Sequence, residues 1–356
     1  MSQLALRRDA LAARVLPPLA ALLVALVAGD LLMLLAGQSP ATVYRLLIAG
    51  TWGNWYGLGQ VLYKATTLSF TGLAVAVGVR AGLFNVGAEG QLAAGGLAAG
   101  LCGLLLPVAV PFVVAVPLCA LAAATAGGVV GWVPGVLRAR YGAHEVIVTI
   151  MLNFIVLALL NWLLAAHLRV PETLHTAPIR SGALPRLATW MPVFHGSAAN
   201  ASLLVAPLVA LALWWLLFRT AWGFELRASG LQPDAAAAAG VRLPRVWTGA
   251  LTLSGAIAGL GGINYVLGYK GYYEEGFAAG SGYIGIAVAL VGRGNPLGVI
   301  LAALFFATLS QGGLAIGALV PKQIADVLQG VVIIAIAAAV PEVQRILAGR
   351  GGATRP

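Results

Sequence analysis

Apolar runs about as long as a membrane-crossing helix follow one another along almost the whole sequence. A helix needs roughly 20 apolar residues to cross the hydrocarbon layer of a bilayer. Only 9% of the residues are charged, which is too few to cover a water-soluble surface. The sequence therefore predicts an all-α, polytopic bundle of about ten transmembrane helices, forming a single domain over residues 1–356. The predicted spans are 17–36, 61–79, 86–106, 108–136, 145–166, 203–218, 247–268, 279–291, 297–313 and 324–340.

Positively charged residues indicate how these spans are oriented, because Lys and Arg are more frequent in cytoplasmic loops. With the N-terminus in the cytoplasm, 14 of these residues fall in inner segments and six in outer segments. Both ends, 1–16 and 341–356, are then expected in the cytoplasm. The loop at 167–202 is expected outside and the loop at 219–246 inside. The net charge of +10 is spread singly between apolar runs, which suits contact with membrane lipid and does not predict nucleic-acid binding.

The inner loop contains a short alanine-rich segment, PDAAAAAG, at 233–240. Pro233 suits the first position of a helix, Asp234 interacts favourably with the positive helix end, and Gly240 ends the helix. A helix this short is not stable alone in water. We therefore expect it to dock against a partner.

Motifs for nucleotide hydrolysis and for enzymatic catalysis are absent from the sequence. A phosphate-binding loop needs a Gly-Lys-Ser/Thr sequence, whereas Lys64, Lys270 and Lys322 follow Tyr63, Tyr269 and Pro321. Neither H-E-x-x-H nor G-x-S-x-G occurs, and the His and Cys spacing predicts no metal site. We expect a chain that is not an enzyme, and that binds no cofactor or metal itself.

The segment GLFNVGAEGQ at 82–91 places polar residues within an apolar, glycine-rich region. Asn85 is predicted to cap the helix that follows, and Glu89 to lie in its first turn. A local, stabilising role is one interpretation of Asn85, Glu89 and Gln91. The other is that they line a substrate path, because polar residues within a membrane are costly and often functional. Gly96 and Gly100 form a small-x-x-x-small pattern that favours close helix packing.

A second polar stripe begins at the fifth predicted span. Glu145, Thr149 and Asn153 recur every four residues and therefore share one helix face. Hydrogen bonding between helices is one interpretation, and a substrate path is the other. Asn161 lies off this strict period but is expected near the mouth of the same cavity.

Four segments together carry a resemblance to a known family. They are GLFNVGAEGQ at 82–91, HEVIVTIMLNFI at 144–155, LRASGLQPDAAAAAGV at 226–241 and GYIGIAVALVGRGNPLG at 282–298. These segments resemble the permease subunits of bacterial ABC importers related to the ribose and branched-chain amino acid systems. The closest likeness is to nucleoside-type permeases that work with basic membrane lipoproteins, and it covers most of residues 60–345. It implies a multi-pass protein of the bacterial plasma membrane that transports a small polar solute, with nucleosides favoured and simple sugars as the alternative.

The resemblance also implies partner chains. These are a cytoplasmic ATPase that binds ATP and Mg, a second homologous permease forming a heterodimer, and an external substrate-binding lipoprotein. The loop at 226–241 resembles the coupling helix that contacts the ATPase, although Gln232, Pro233 and Asp234 replace its usual asparagine region. The coupling residues implied by position are Arg227, Gly230, Asp234, Ala235, Ala236 and Gly240.

Two other classes of function remain open from the residues alone. An ion-coupled secondary transporter would use membrane carboxylates as ion sites, and Asp30, Glu89 and Glu145 are the acids placed for that role. A channel or structural subunit is the third possibility.

Overall fold

A computed structural model describes residues 37–317 and, outside that range, residues 23, 26–31, 33–35, 327, 330 and 331. The described residues form helices and isolated β-bridges, with no β-sheet among them, so the predicted all-α class is confirmed. They fall into two compact units. One unit comprises Trp55–Ala307, and the other comprises the residues up to Asn54 together with those from Thr308.

The helices are labelled here in chain order through residues 37–317. Three further helical segments are the π-helical turns Leu164–Leu168 and Val266–Lys270, which continue α5 and α11, and the 3-10 turn Pro192–Phe194. The labels are α1 (Pro40–Thr51), α2 (Trp55–Arg80), α3 (Ala88–Leu105), α4 (Phe112–Tyr141), α5 (Glu145–Leu163), α6 (Leu187–Trp190), α7 (Ser202–Arg219), α8 (Ala221–Leu231), α9 (Pro233–Ala238), α10 (Leu243–Leu260), α11 (Gly262–Tyr265), α12 (Ser281–Val291) and α13 (Pro296–Ala315).

Six helical segments in the described part of the chain are long and apolar enough to cross a membrane, which is fewer than the ten predicted. α3 has 18 residues, but five glycines together with Glu89 and Gln91 lower its hydropathy. α12 has only 11 residues. The predicted spans 17–36 and 324–340, and both predicted cytoplasmic ends, lie wholly or largely outside the described residues. The six are Trp55–Arg80, Phe112–Tyr141, Glu145–Leu168, Ser202–Arg219, Leu243–Lys270 and Pro296–Ala315.

The chain leaves helical geometry between α2 and α3, over residues 81–87, which we call the helix break. α2 ends in a Schellman motif, in which the Leu83 N–H donates to the Gly78 carbonyl at 2.9 Å and the Gly82 N–H donates to the Val79 carbonyl at 3.1 Å. Gly82 has a φ of 73°, in the left-handed region that glycine adopts without steric cost. The sequence Arg-Ala-Gly thus ends the helix locally, before α3 begins at Ala88.

Helices α4 and α10 pack with their backbones in close contact. A side-chain Cβ at Gly127 would lie 2.8 Å from Gly259 Cα, and one at Gly131 would lie 3.0 Å from Gly255 Cα. The two pairs recur at four-residue spacing on each helix, which is the small-residue packing that membrane helices use. The prediction of close helix packing at Gly96 also holds, because a Cβ on Gly262 of α11 would lie 2.5 Å from Gly96 Cα.

Adding a methyl group at this contact is expected to weaken the fold. Gly127→Ala forces α4 and α10 apart, and overpacking of this kind costs about 1–3 kcal/mol. Gly128→Ala is the matched control, because its Cβ would meet its nearest atoms at 3.5 Å, an ordinary van der Waals contact. Thermal unfolding of the purified variants in detergent should show a lower Tm for Gly127→Ala only. Equal Tm values for the two variants would contradict this packing.

Candidate functional site

Helix α5 supplies hydrogen bonds to the helix break and to the start of α3. The Asn153 Oδ1 accepts from the Gly90 N–H at 2.9 Å, and its Nδ2 donates to the Val86 carbonyl at 2.8 Å. The Thr149 hydroxyl accepts from the Val86 N–H at 3.3 Å. Thr149 and Asn153 are both buried. Because buried backbone groups need partners, these two side chains replace hydrogen bonds that the chain loses where it leaves helical geometry.

The polar side chains of the helix break form further hydrogen bonds. Together with the hydrogen bonds of Thr149 and Asn153, we call them the network. The Asn85 Nδ2 donates to Gln91 Oε1 at 2.8 Å and to Ser254 Oγ at 2.7 Å. The Asn85 Oδ1 accepts from the Gly87 N–H at 2.8 Å. The prediction that Asn85 caps α3 is therefore wrong, because the N-cap residue is Gly87 and it has no side-chain cap. Asn85 instead fixes the turn that precedes the cap.

Glu89 lies in the first turn of α3, as predicted, but its carboxylate binds a different helix. Oε1 accepts from the Gly280 N–H at 2.8 Å, and Oε2 accepts from the Gly282 N–H at 2.6 Å. These N–H groups lie at the start of α12, where the helix dipole favours a negative charge. A side chain on Gly282 would collide with the Glu89 backbone, so the glycine permits this close approach.

Glu145 lies apart from the network, although it shares the buried stripe with Thr149 and Asn153. Its carboxylate forms an ion pair with Arg138 at 3.6 Å. The Arg138 guanidinium also stacks over the ring of Trp247, 5.2 Å from its centroid. The predicted stripe is thus divided, with Glu145 joining α5 to α4 and the other two residues supporting the break.

A cavity of about 240 Å³ lies beside this network, within the unit Trp55–Ala307. Of the six predicted path residues, only Glu89 lines it. Asn161 also lines it, whereas the stripe of Glu145, Thr149 and Asn153, with which Asn161 was expected to share a cavity, does not. Among the described residues, the Asn161 amide and the Glu275 carboxylate have no hydrogen-bond partner. The residues that line this cavity include Glu89, Leu157, Asn161, Tyr273, Glu275 and Phe277.

Aromatic rings form one wall of this cavity. The Phe277 ring lies 4.9 Å from that of Tyr265 at 35°, and 5.5 Å from that of Tyr273 at 76° between ring centroids. Burial, and secondarily the Glu275 carboxylate, raises the pKa of Tyr273, so its phenol stays neutral. The cavity therefore combines a neutral aromatic wall with an amide and a carboxylate that can accept hydrogen bonds.

The segment that supplies this wall, GYYEEGFAAGSG at 271–282, was not recognised from the sequence. Most of it lies between the predicted spans 247–268 and 279–291, and it carries no period that marks a helix face. Its interleaved aromatic and acidic residues between glycines were the available signal, because such loops position binding groups on a rigid scaffold. Its contacts with Glu89 arise only in the folded chain.

The predicted alanine helix is confirmed as α9, with Asp234 in its first turn and Gly240 at a φ of 90° just after it. Ala236 is the buried residue of this helix, whereas Asp234 and Ala235 are exposed. The preceding Leu231 is 88% exposed. Within the described chain, most of this short helix therefore has no packing partner.

Two of the implied coupling residues pack inward instead. The Arg227 Nε donates to the Leu217 carbonyl at 3.0 Å, which ties α8 to α7. Gly230 lies against the backbone of Arg80 and Gly82, where a Cβ would collide. These contacts connect the segment that carries α9 to the end of α2 and to the helix break.

The hydrogen bonds of Asn153 lead to a prediction about stability. Asn153→Leu leaves the Gly90 N–H and the Val86 carbonyl without partners, and each buried unsatisfied group costs about 1–3 kcal/mol. We expect the Tm, the amount in the membrane and the transport rate to fall together. Asn161→Leu, which breaks no hydrogen bond within residues 37–317, is the stability control. A loss of transport at unchanged Tm in Asn153→Leu would indicate a role in the substrate path instead.

Comparison with known proteins agrees with these features. Residues 57–337 match the family model described as branched-chain amino acid transport system / permease component. The guanosine ABC transporter permease protein NupP of Bacillus subtilis is 37% identical over 90% of this chain and 92% of its own length. The nucleoside ABC transporter permease protein NupB of Lactococcus lactis is 33% identical over 84% of both chains.

A relative whose name refers to a sugar is nearly as similar. The glucose ABC transporter permease protein TsgB13 of Haloferax volcanii is 33% identical over 89% of this chain and 85% of its own length. No solved structure matches the chain. The family match covers more than half of the sequence, and the relatives are transport components rather than enzymes. The chain is therefore a member of the permease-component family of the branched-chain amino acid transport systems, and it is an ABC transporter permease.

Proposed function

We propose that the chain forms part of the path by which an ABC importer moves nucleosides across the bacterial plasma membrane. NupP and NupB, whose names refer to guanosine and nucleosides, align with nearly the whole chain. The apolar helices support a location in the membrane. Simple sugars are the second candidate, and the similarity to TsgB13 favours them.

The cavity beside Glu89 is the single observation that carries the nucleoside assignment. A nucleoside has a flat aromatic base and a hydroxylated ribose. Phe277 offers an aromatic surface on which a base can stack, while Asn161 and Glu275 can bond ribose hydroxyls. A flat aromatic base stacks on this wall over its whole face, so the aromatic wall favours the nucleoside.

We further propose that an ATPase partner docks on α9 and, through this contact, drives the conformational change of the permease. The sequence has no phosphate-binding loop, so ATP and Mg belong on a separate chain in this proposal. The exposed surface of α9 suits a docking contact, and Gly230 and Arg227 connect it to α2 and α7. A partner changes the equilibrium between outward-open and inward-open states only by binding the two states differently. The α8–α9 segment is where that difference would act.

The remaining partners complete this assembly. A second homologous permease would form the other half of the path, and an external lipoprotein would deliver the solute. The acids that an ion-coupled transporter would use each have a partner within the protein. Asp30 accepts from the Tyr44 hydroxyl at 2.8 Å, Glu89 binds the start of α12, and Glu145 pairs with Arg138.

A substitution in the cavity tests the solute. Phe277→Leu in the whole importer should lower guanosine uptake at concentrations well below saturation by about tenfold, because loss of a binding contact lowers kcat/KM and stacking of a base on an aromatic ring contributes roughly 1–3 kcal/mol. Phe154→Leu, an exposed position on α5, is the matched control. Initial rates of uptake into cells measure the effect. Transport of glucose but not guanosine by the unmodified importer would overturn the nucleoside assignment.

Substitutions on α9 test the coupling. Ala235→Trp places a bulky side chain on the exposed surface of α9, and Asp234→Lys reverses its charge. Each should abolish uptake and retention of the ATPase during purification, while the amount of chain in the membrane stays normal. Ala235→Ser keeps the side chain small and should retain activity. Normal uptake by Ala235→Trp and Asp234→Lys would remove the coupling role of α9.

A further inference from the structure

A small basic pocket lies where α2, α8 and the turn after α12 meet. Its volume is about 270 Å³, and its lining includes Arg80, Arg227 and Arg293. Arg80 and Arg227 both stack over the ring of Phe218, with distances of 5.6 Å and 5.2 Å to its centroid. One aromatic ring thus holds two guanidinium groups beside each other, although their like charges repel.

These guanidinium groups keep donors available. The Arg80 Nε donates to the Gly294 carbonyl at 2.9 Å and its Nη2 to the Arg293 carbonyl at 3.3 Å. Its Nη1 donates to no atom of residues 37–317. The Arg227 Nε donates to Leu217, and both of its terminal nitrogens have no acceptor in that range. Neither Arg80 nor Arg227 forms an ion pair with a carboxylate of the described chain.

The backbone around Arg293 is also unusual. Arg293 has a φ of 54°, one of three non-glycine residues with positive φ in the described chain. A residue with a side chain adopts this conformation only at an energetic cost. The turn nonetheless places the Arg293 carbonyl where it accepts from Arg80, and places the Arg293 residue in the pocket lining.

The position of the pocket fixes its depth relative to a membrane. Arg80 is the last residue of one membrane-spanning helix, and Arg219, next to Phe218, is the last residue of another. Two spans therefore end at this pocket, which places it at the level of the lipid headgroups. Apolar Val79 and the exposed Leu231 also line it, offering a surface to the glycerol and upper acyl region of a lipid.

We propose that this pocket binds the phosphate group of an anionic phospholipid. Guanidinium groups bind phosphate oxygens through paired N–H donors, and basic pockets at the ends of membrane helices are suited to acidic headgroups. An acidic side chain of a soluble partner would satisfy the charge but not the apolar lining at headgroup depth. The lipid therefore fits more of the pocket. This proposal does not depend on which solute the importer carries.

Lipid binding to the purified full chain tests this proposal, without any ATPase. Thermal unfolding in detergent is followed while phosphatidylglycerol, phosphatidylcholine or sodium phosphate is added. We expect phosphatidylglycerol to raise the Tm and phosphatidylcholine to raise it much less. Arg80→Gln and Arg227→Gln should each weaken the response to phosphatidylglycerol about tenfold, which corresponds to about 1.4 kcal/mol. Arg227→Lys should recover part of it.

Arg219→Gln is the matched control, because Arg219 lies at the same helix ends but stacks over Trp214 outside the pocket lining. It should respond to phosphatidylglycerol as the unmodified chain does. An unchanged response in Arg227→Gln would overturn the proposal. So would sodium phosphate reproducing the whole effect, which would assign the pocket to free phosphate.

Two further measurements test the lipid site if the Arg80 variant does not fold. Native mass spectrometry of the unmodified chain should show phosphatidylglycerol retained in preference to phosphatidylcholine, and equal retention would contradict the lipid site. If no lipid is preferred and Arg227→Gln instead releases the ATPase, the pocket is part of the ATPase contact and the lipid assignment is wrong.

Discussion

The helix break at 81–87 leaves backbone groups that no helical hydrogen bond satisfies, and much of the described fold depends on the side chains that bind them. Each such group, if buried and unpaired, costs about 1–3 kcal/mol, and within a membrane water does not compensate. Thr149 and Asn153 supply the partners from α5, while Asn85 supplies them from the break itself. Asn85, Thr149 and Asn153 are therefore first of all a structural requirement of this apolar chain.

The break also determines where the possible site lies. Because α3 restarts at Ala88, Glu89 falls in its first turn and reaches the start of α12. The same carboxylate lines the cavity with Asn161 and Phe277. Structural and functional interpretations of Glu89 are thus compatible, since one residue joins two helices and forms part of the cavity wall. A movement of α12 relative to α3 would change both the hydrogen bonds and the cavity.

Local sequence signals predicted local features well. Proline, aspartate and glycine at the right spacing predicted α9. The position of Glu89 in a first turn was also predicted, although the cap residue is Gly87 and not Asn85. Contacts between distant residues were not predictable. The partners of Glu89 lie more than 190 residues away, and the aromatic cavity wall comes from a loop without a helical period. The hydropathy of the sequence also predicted spans at α3 and α12. Glycines and polar residues make α3 too weakly apolar, and α12 is too short, so neither is among the six helical segments that could cross a membrane.

The central claim is that this permease moves a nucleoside only when a partner ATPase acts on it. Accumulation of radiolabelled guanosine in proteoliposomes, with ATP held constant, tests this claim most directly. We expect accumulation against the gradient when the chain is reconstituted with its ATPase, second permease and binding lipoprotein, and none when the chain is reconstituted alone. Uphill accumulation by the chain alone would contradict the account.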